Sequence, residues 1–369
     1  RSALNLSQQN GPRNRDQCAG FTHLPRPEPG GDRGPSHHPR NQNHKRLITE
    51  ENISDRKIIA VVAATGAQGG GLVTAILDDP EAGFAVRALT RNPDSDKAKA
   101  LSAAGAEVVA ADLDDEASLV EALDGAYGAF FVTNFWEHFS PEKETGQAAN
   151  LARAAKKAGL KHVIWSTLED TRLWVPLEDD RMPTLMGSYK VPHFDAKGAA
   201  DEIFRREGVP TTFLLTSFYW DNLIHFGLGP AKGPDGRYGI TLPMGDGKLP
   251  GIAAEDIGRS AYGIFKRGDD LIGETVAISG EQLTGEEMAA AIGGAMGLEV
   301  VYNSVDPEVY RGFDFPGAED LGNMFQFKRD FQEAFCGPRD PDIARSLNPR
   351  LQSFADWLEI NADRIPLQD

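Results

Sequence analysis

The stretch Val61-Val62-Ala63-Ala64-Thr65-Gly66-Ala67-Gln68-Gly69-Gly70-Gly71 decides how this chain is read. It closes a short apolar run rich in β-branched residues, 57–64, and an apolar-periodic segment, 72–77, follows at once. That order predicts a strand, a glycine loop and a helix. Such a loop brings backbone N–H groups at a helix N-terminus close to a pyrophosphate, which needs residues without a Cβ. A glycine string alone is a weak signal, and its place inside a βαβ unit makes it a strong one. The position usual for the first glycine holds Ala63. Alanine serves there if φ is below zero.

Working outward, 84–90 alternates like a strand, 98–104 is helical in composition, 107–110 is a strand, 119–123 a helix and 129–133 a strand. A strong helix over 147–158 ends at Gly159, and strands follow at 162–166 and 211–215. Strands alternating with helices predict an α/β fold, a Rossmann doubly wound parallel sheet. Further on, 253–266 reads as a helix, 275–279 as a strand, 283–297 as a helix with a Thr284/Glu287 capping box and 300–305 as a strand. These pieces predict a small C-terminal α+β domain for substrate or partner, roughly 225–369 within a unit of 56–369. The insertion 171–187 reads as a lid or as a plain surface loop.

Composition removes other classes. The chain has 369 residues, a formal net charge of -17 and two cysteines, Cys18 and Cys336. An acidic chain is a poor holder of DNA, RNA or an anionic membrane. Two cysteines make no disulfide scaffold, so a reducing compartment is expected, cytoplasmic or nuclear. Residues 1–55 hold eight Lys/Arg against six Asp/Glu, with six Pro, five Gly and four of the eight His. They show no helical or strand period and predict a disordered extension without a secretory signal. Its loose histidines, among them His37, His38 and His44, give no metal site, and none is expected elsewhere. The remainder, with 30 basic and 49 acidic residues, carries the acidity. Cys336 has only Arg339 near it in sequence and reads as unreactive.

The end of the second strand supplies Arg91 and no carboxylate, with Lys97 a few residues on. A guanidinium suits a ribose 2′-phosphate, so NADP(H) is preferred over NAD(H). Short-chain dehydrogenases set a Tyr and a Lys four apart on a helix beyond the fifth strand, where the lysine charge eases loss of the phenol proton. The matching place here is His193 and Lys197, and Pro192 starts that helix, leaving Tyr189 outside it. His193 either exchanges a proton near neutral pH or merely packs and caps.

The loop ATGAQGG, the segment TRNP, Ala111-Asp112-Leu113-Asp114-Asp115, Val132-Thr133-Asn134-Phe135-Trp136, the helix start HFDAKG, Asp320-Leu321-Gly322-Asn323-Met324-Phe325 and Phe354-Ala355-Asp356-Trp357-Leu358 resemble NmrA-like proteins, which are atypical short-chain dehydrogenase/reductases. The resemblance spans roughly 57–362. It implies that Thr65, Gly66, Ala67, Gln68 and Gly69 hold the pyrophosphate, Arg91 the 2′-phosphate, and Asp112 and Leu113 the adenine. It places Thr133, Asn134, Phe135, Tyr219 and Asn222 about the nicotinamide half and brings Lys197 to its ribose. Ser95 stands where a family member has a basic residue. Some members resemble sensors that change protein partners with the NADP(H) level, and others reduce quinones or similar carbonyls. The expectation is an NADP(H)-binding redox sensor or regulator acting through a protein partner, with a homodimer compatible. The alternative is an NADPH-dependent oxidoreductase with Lys197 and His193 assisting proton transfer. A metabolic enzyme like isoflavone-reductase relatives, which keep the lysine without the tyrosine, is a third.

Overall fold

The computed structural model describes residues 56–368. The expectations for 1–55, with Cys18 and the early histidines, lie outside these residues. The strands are β1 (Lys57–Val61), β2 (Phe84–Thr90), β3 (Glu107–Ala110), β4 (Gly128–Phe131), β5 (His162–Thr167), β6 (Thr211–Leu215), β7 (Phe218–Tyr219), β8 (Ala231–Lys232), β9 (Tyr238–Leu242), β10 (Leu249–Ile252), β11 (Thr275–Ala277), β12 (Glu281–Leu283) and β13 (Val300–Ser304). The helices that matter for the site are α1 (Ala67–Leu77), α2 (Asp96–Ala103), α3 (Glu116–Leu123), α4 (Pro141–Ala158), α5 (Pro192–Glu207), α6 (Asn222–His225), α7 (Ala254–Arg267), α8 (Gly285–Met296), α9 (Pro307–Arg311) and α10 (Ala318–Asp330).

Seven strands form a parallel sheet in the order β11-β6-β5-β4-β1-β2-β3. The order reverses between β1 and β4, and an open α/β sheet has its ligand crevice at such a point, beyond the carboxyl ends of the strands. β4 and β5 are buried throughout, and β1 from Ile59 on, because helices cover both faces. On one face, Leu119 and Leu123 of α3, Leu151 and Ala155 of α4 and Phe204 of α5 pack on Val163, Trp165 and Phe131. On the other, α1 lies against α7 at glycine contacts. A Cβ on Gly71 would strike the Glu255 backbone, and one on Gly258 would strike the Leu72 N–H.

The remaining strands form two three-stranded sheets, β12-β10-β7 and β13-β9-β8. Their core draws Phe194 from α5, Trp220, Ile292 from α8, Phe325 and Phe327 from α10 and Trp357 into one cluster. Residues 225–369 are not all in this smaller part. α7 covers the main sheet, and β11 pairs with β6 to extend it. The Thr284/Glu287 capping box forms as expected at the start of α8.

The insertion 171–187 is a largely exposed surface segment anchored at a few points. Val175 and Met182 are buried in the second core. The ammonium of Lys190, 1% exposed, donates to the carbonyls of Asp179 and Met182 at 2.8 and 2.7 Å. Asn323 and Gln326 of α10 donate to the carbonyls of Pro183 and Arg181. Polar side chains thus satisfy the backbone of an irregular segment that a strand or helix would have satisfied by itself.

Candidate functional site

The residues singled out by sequence gather at the carboxyl end of the parallel sheet. Val62 still bonds to Phe130 of β4, and the chain then turns so that the Gly66 N–H meets the Ala63 carbonyl at 2.8 Å. That turn sets Ala63 at φ 51°, so the condition of a negative φ is not met. Ala63 is exposed, so its methyl group faces outward while its backbone bears the strain. Gly69 has no room for a Cβ, which would strike the Ala63 carbonyl oxygen. Gly66 caps α1 without a side-chain acceptor, and no acidic residue lies in the first turn. The N–H groups of Ala67, Gln68 and Gly69 therefore start a helix that no side chain caps, with Thr65 just before it. This suits an anionic phosphate bridge.

The Gln68 side chain is committed elsewhere. The Ser166 hydroxyl at the end of β5 donates to its carbonyl oxygen at 2.8 Å, and its amide donates to the Tyr219 hydroxyl. The expectation that Gln68 holds a pyrophosphate therefore narrows to its backbone N–H. Burial pushes the Tyr219 phenol above its usual range. Asn222 opens α6 just beyond.

Arg91, at the end of β2, has a side chain 66% exposed and pairs with Glu137, which follows β4. The hydrogen bond and charge of Glu137 hold the guanidinium above its ordinary pKa. The Ser95 hydroxyl accepts the Ala98 N–H at 3.2 Å and so serves as the N-cap of α2, on which Lys97 lies. At the end of β3, Asp112 is exposed, and its carboxylate accepts the Asp114 N–H. The Leu113 carbonyl accepts from Asn150 of α4 at 2.8 Å, which pins this loop.

Beyond β4, Asn134 is exposed and Phe135 buried. Thr133 belongs to the tightest cluster of the site. The Lys197 ammonium donates to the Thr133 carbonyl at 3.0 Å and to its hydroxyl at 2.8 Å, and it pairs with Glu144 at 2.7 Å. The Thr133 hydroxyl donates in turn to Glu144 at 2.6 Å. Glu144, in the first turn of α4, has no exposed surface. Burial pushes its carboxyl up, but Lys197 and the Thr133 hydroxyl bring it below the usual range. Glu144 was not among the sequence-predicted residues.

His193 lies one turn before Lys197 on α5, and Tyr189 lies outside the helix, as expected. The imidazole Nδ1 pairs with the Asp320 carboxylate, and the ring packs 4.7 Å from that of Trp136. His193 is 6% exposed and serves the capping of α5, because its backbone N–H also reaches Asp320. Asp195, fully buried, accepts from the Thr171 N–H and hydroxyl and from the N–H groups of Lys190 and Val191, and burial holds its carboxyl above the usual range.

The site's framework matches a known family along most of its length. A sequence model of the NmrA-like family matches residues 55–358. The chain belongs to the NmrA-like family. This NmrA-like protein is 30% identical over 318 residues to the NmrA-like family domain-containing oxidoreductase FrzB of Cladobotryum sp., covering 79% of this chain and 90% of that one. It superposes on NmrA, a negative transcriptional regulator, in complex with NADP, with a TM-score of 0.67 and 26% identity, over 83% of this chain and 95% of NmrA. A structure of NmrA with NAD matches equally well. The triphenylmethane reductase of Citrobacter sp. with NADP(H) shares the fold, with a TM-score of 0.64 and 22% identity over 82% and 99% of the two chains. Among the described residues no helix is long and apolar enough to cross a membrane, and no cluster of three or more His, Cys, Asp or Glu side chains is placed to hold a metal.

Proposed function

We propose that this NmrA-like protein binds NADP(H) across the carboxyl edge of its sheet and acts as a redox sensor or regulator through a protein partner. The uncapped start of α1 behind Gly66, with Gly69 pressed on Ala63, supports the nucleotide. Thr65 to Gly69 take the pyrophosphate through backbone N–H groups and Arg91 takes the 2′-phosphate. Asp112 and Leu113 flank the adenine, and Thr133, Asn134, Phe135, Lys197, Tyr219 and Asn222 surround the nicotinamide half. NAD(H) binds less tightly because it lacks the phosphate that Arg91 matches.

One observation favours the sensor. The helix position that carries the proton-donating tyrosine in short-chain dehydrogenases holds His193, and its Nδ1 is bound to Asp320 of α10. The residue therefore joins the nucleotide side of the molecule to the C-terminal helices, a route from cofactor state to a partner surface. Affinities for NADPH, NADP and NADH by calorimetry test this reading, and binding to none of them would overturn it. A partner whose capture differs between NADPH and NADP would support it.

The second reading is an NADPH-dependent oxidoreductase acting on a quinone or other carbonyl. It is favoured by the Lys197 ammonium held by Thr133 at the end of β4, and by relatives named as oxidoreductases. A screen of quinones and aldehydes for NADPH oxidation decides between the two.

A further inference from the structure

The Lys197 ammonium has three N–H groups, and the Thr133 carbonyl, the Thr133 hydroxyl and Glu144 take all three. A nucleotide ribose that engages Lys197 must displace one of them. The Thr133 hydroxyl accepts from Lys197 and donates to Glu144, so the three groups are tied together. Drawing the ammonium outward weakens the one lysine or arginine pairing that Glu144 has among the described residues.

Glu144 tolerates that poorly. It has no exposed surface, and its second oxygen, Oε2, makes no hydrogen bond. That oxygen lies 3.3 Å from Nε2 of His138, which also makes none. The His138 Nδ1 accepts the Ser140 N–H at 3.1 Å, which ties the ring to the start of α4. Glu144 is thus faced by Lys197 from α5 and by Thr133 and His138 from the segment after β4. His138 is faced in turn by Asp114 from the segment after β3. A buried carboxylate that loses its cation gains a proton or a new cation, because an uncompensated charge costs far more than either.

We propose that Glu144 is a proton-coupled counter-ion for Lys197, with His138 holding it in place: as the ammonium turns to the nucleotide ribose, the Glu144 carboxylate takes up one proton from solvent. Nucleotide binding then consumes protons and tightens as pH falls. Both residues are positioning residues that act through Lys197. The inference rests on NADP(H) binding at this site and holds whether the protein senses or turns over the nucleotide.

The test is calorimetric titration of the full chain with NADPH in two buffers of different ionisation heat, repeated from pH 6 to pH 8.5. The wild type should show a buffer-dependent heat equal to a fractional proton uptake, with a Kd that rises with pH by up to about tenfold per unit. E144Q should lose the uptake carried by Glu144, leaving a smaller buffer-dependent heat and a Kd that changes less with pH. Proton uptake by the 2′-phosphate itself would persist in E144Q, which separates the two sources. Tight binding by the wild type with equal heats in both buffers overturns the proposal without any variant, as does an E144Q uptake equal to that of the wild type. No binding by the wild type overturns the nucleotide reading as well, and so is told apart.

Discussion

Asp320 holds His193 twice: one carboxylate oxygen accepts the His193 backbone N–H at 3.1 Å and the other pairs with the imidazole Nδ1. The residues are 127 positions apart. Val191, the N-cap of α5, offers no side-chain acceptor, so α10 supplies from a distance what a Ser or Asp at the helix start supplies locally. D320A should lower stability by about 1–3 kcal/mol, because it removes a cap and leaves a buried imidazole unpaired. Urea unfolding measures this, and a loss within error of zero would show that α5 needs no cap from α10.

Ala63 carries the opposite kind of defect. Its φ of 51° strains an L-residue by roughly 1–2 kcal/mol, while glycine there costs about 0.5–1 kcal/mol in chain entropy. A63G should therefore be more stable by up to about 1 kcal/mol, with an NADPH affinity no weaker than the wild type. Thermal melting and calorimetry on the same preparations check both. A destabilised A63G would mean that the alanine methyl group makes packing contacts that outweigh its backbone strain.

Arg91 and Glu137 compete with a 2′-phosphate. The pair is exposed, so it contributes little to folding, but it occupies the guanidinium that a phosphate needs. E137Q should strengthen NADPH binding several-fold and leave NADH unchanged. R91A should weaken NADPH by roughly ten- to a hundred-fold, consistent with loss of charged hydrogen bonds, again sparing NADH. Equal effects on both nucleotides would remove Arg91 from the 2′-phosphate.

The parts of this protein that the sequence made legible are those set by local rules. β-Branched runs mark the buried parallel strands, Thr284 and Glu287 mark the start of α8, and Pro192 marks the start of α5. The α1 glycines announce a loop. What local rules cannot reach are pairings across the fold. Glu144 precedes the helix expected over 147–158, while α4 starts earlier, at Pro141, and only the approach of Lys197 from α5 shows it to be a buried counter-ion. Gln68 likewise reads as a phosphate-loop residue until β5 and β7 bring Ser166 and Tyr219 to its amide. Ala63 takes a positive φ within a turn closed by the Gly66 N–H on its own carbonyl, against the preference of alanine for negative φ.

Lys328 makes the sharpest pH prediction. It lies on α10 with 2% of its surface exposed, among the rings of Phe194, Phe218, Phe325 and Phe335 at 5.1 to 6.0 Å. Burial, with Arg339 close by, pushes its ammonium down to about 7 from an ordinary 10.5. Below about pH 7 the amine is charged in both the folded and the unfolded chain, and the full cost of burying it is present. Between about 7 and 10.5 the unfolded chain binds a proton that the folded chain has lost, so stability rises with pH through that window. K328M keeps the length of the side chain and removes the charge. It should raise stability at pH 6 by about 1–4 kcal/mol and abolish that part of the alkaline slope, because replacing a buried ion by an apolar isostere relieves its desolvation. Urea unfolding from pH 6 to pH 10 reads both effects. Parallel slopes for wild type and K328M would mean that the four rings stabilise the ammonium as well as water does.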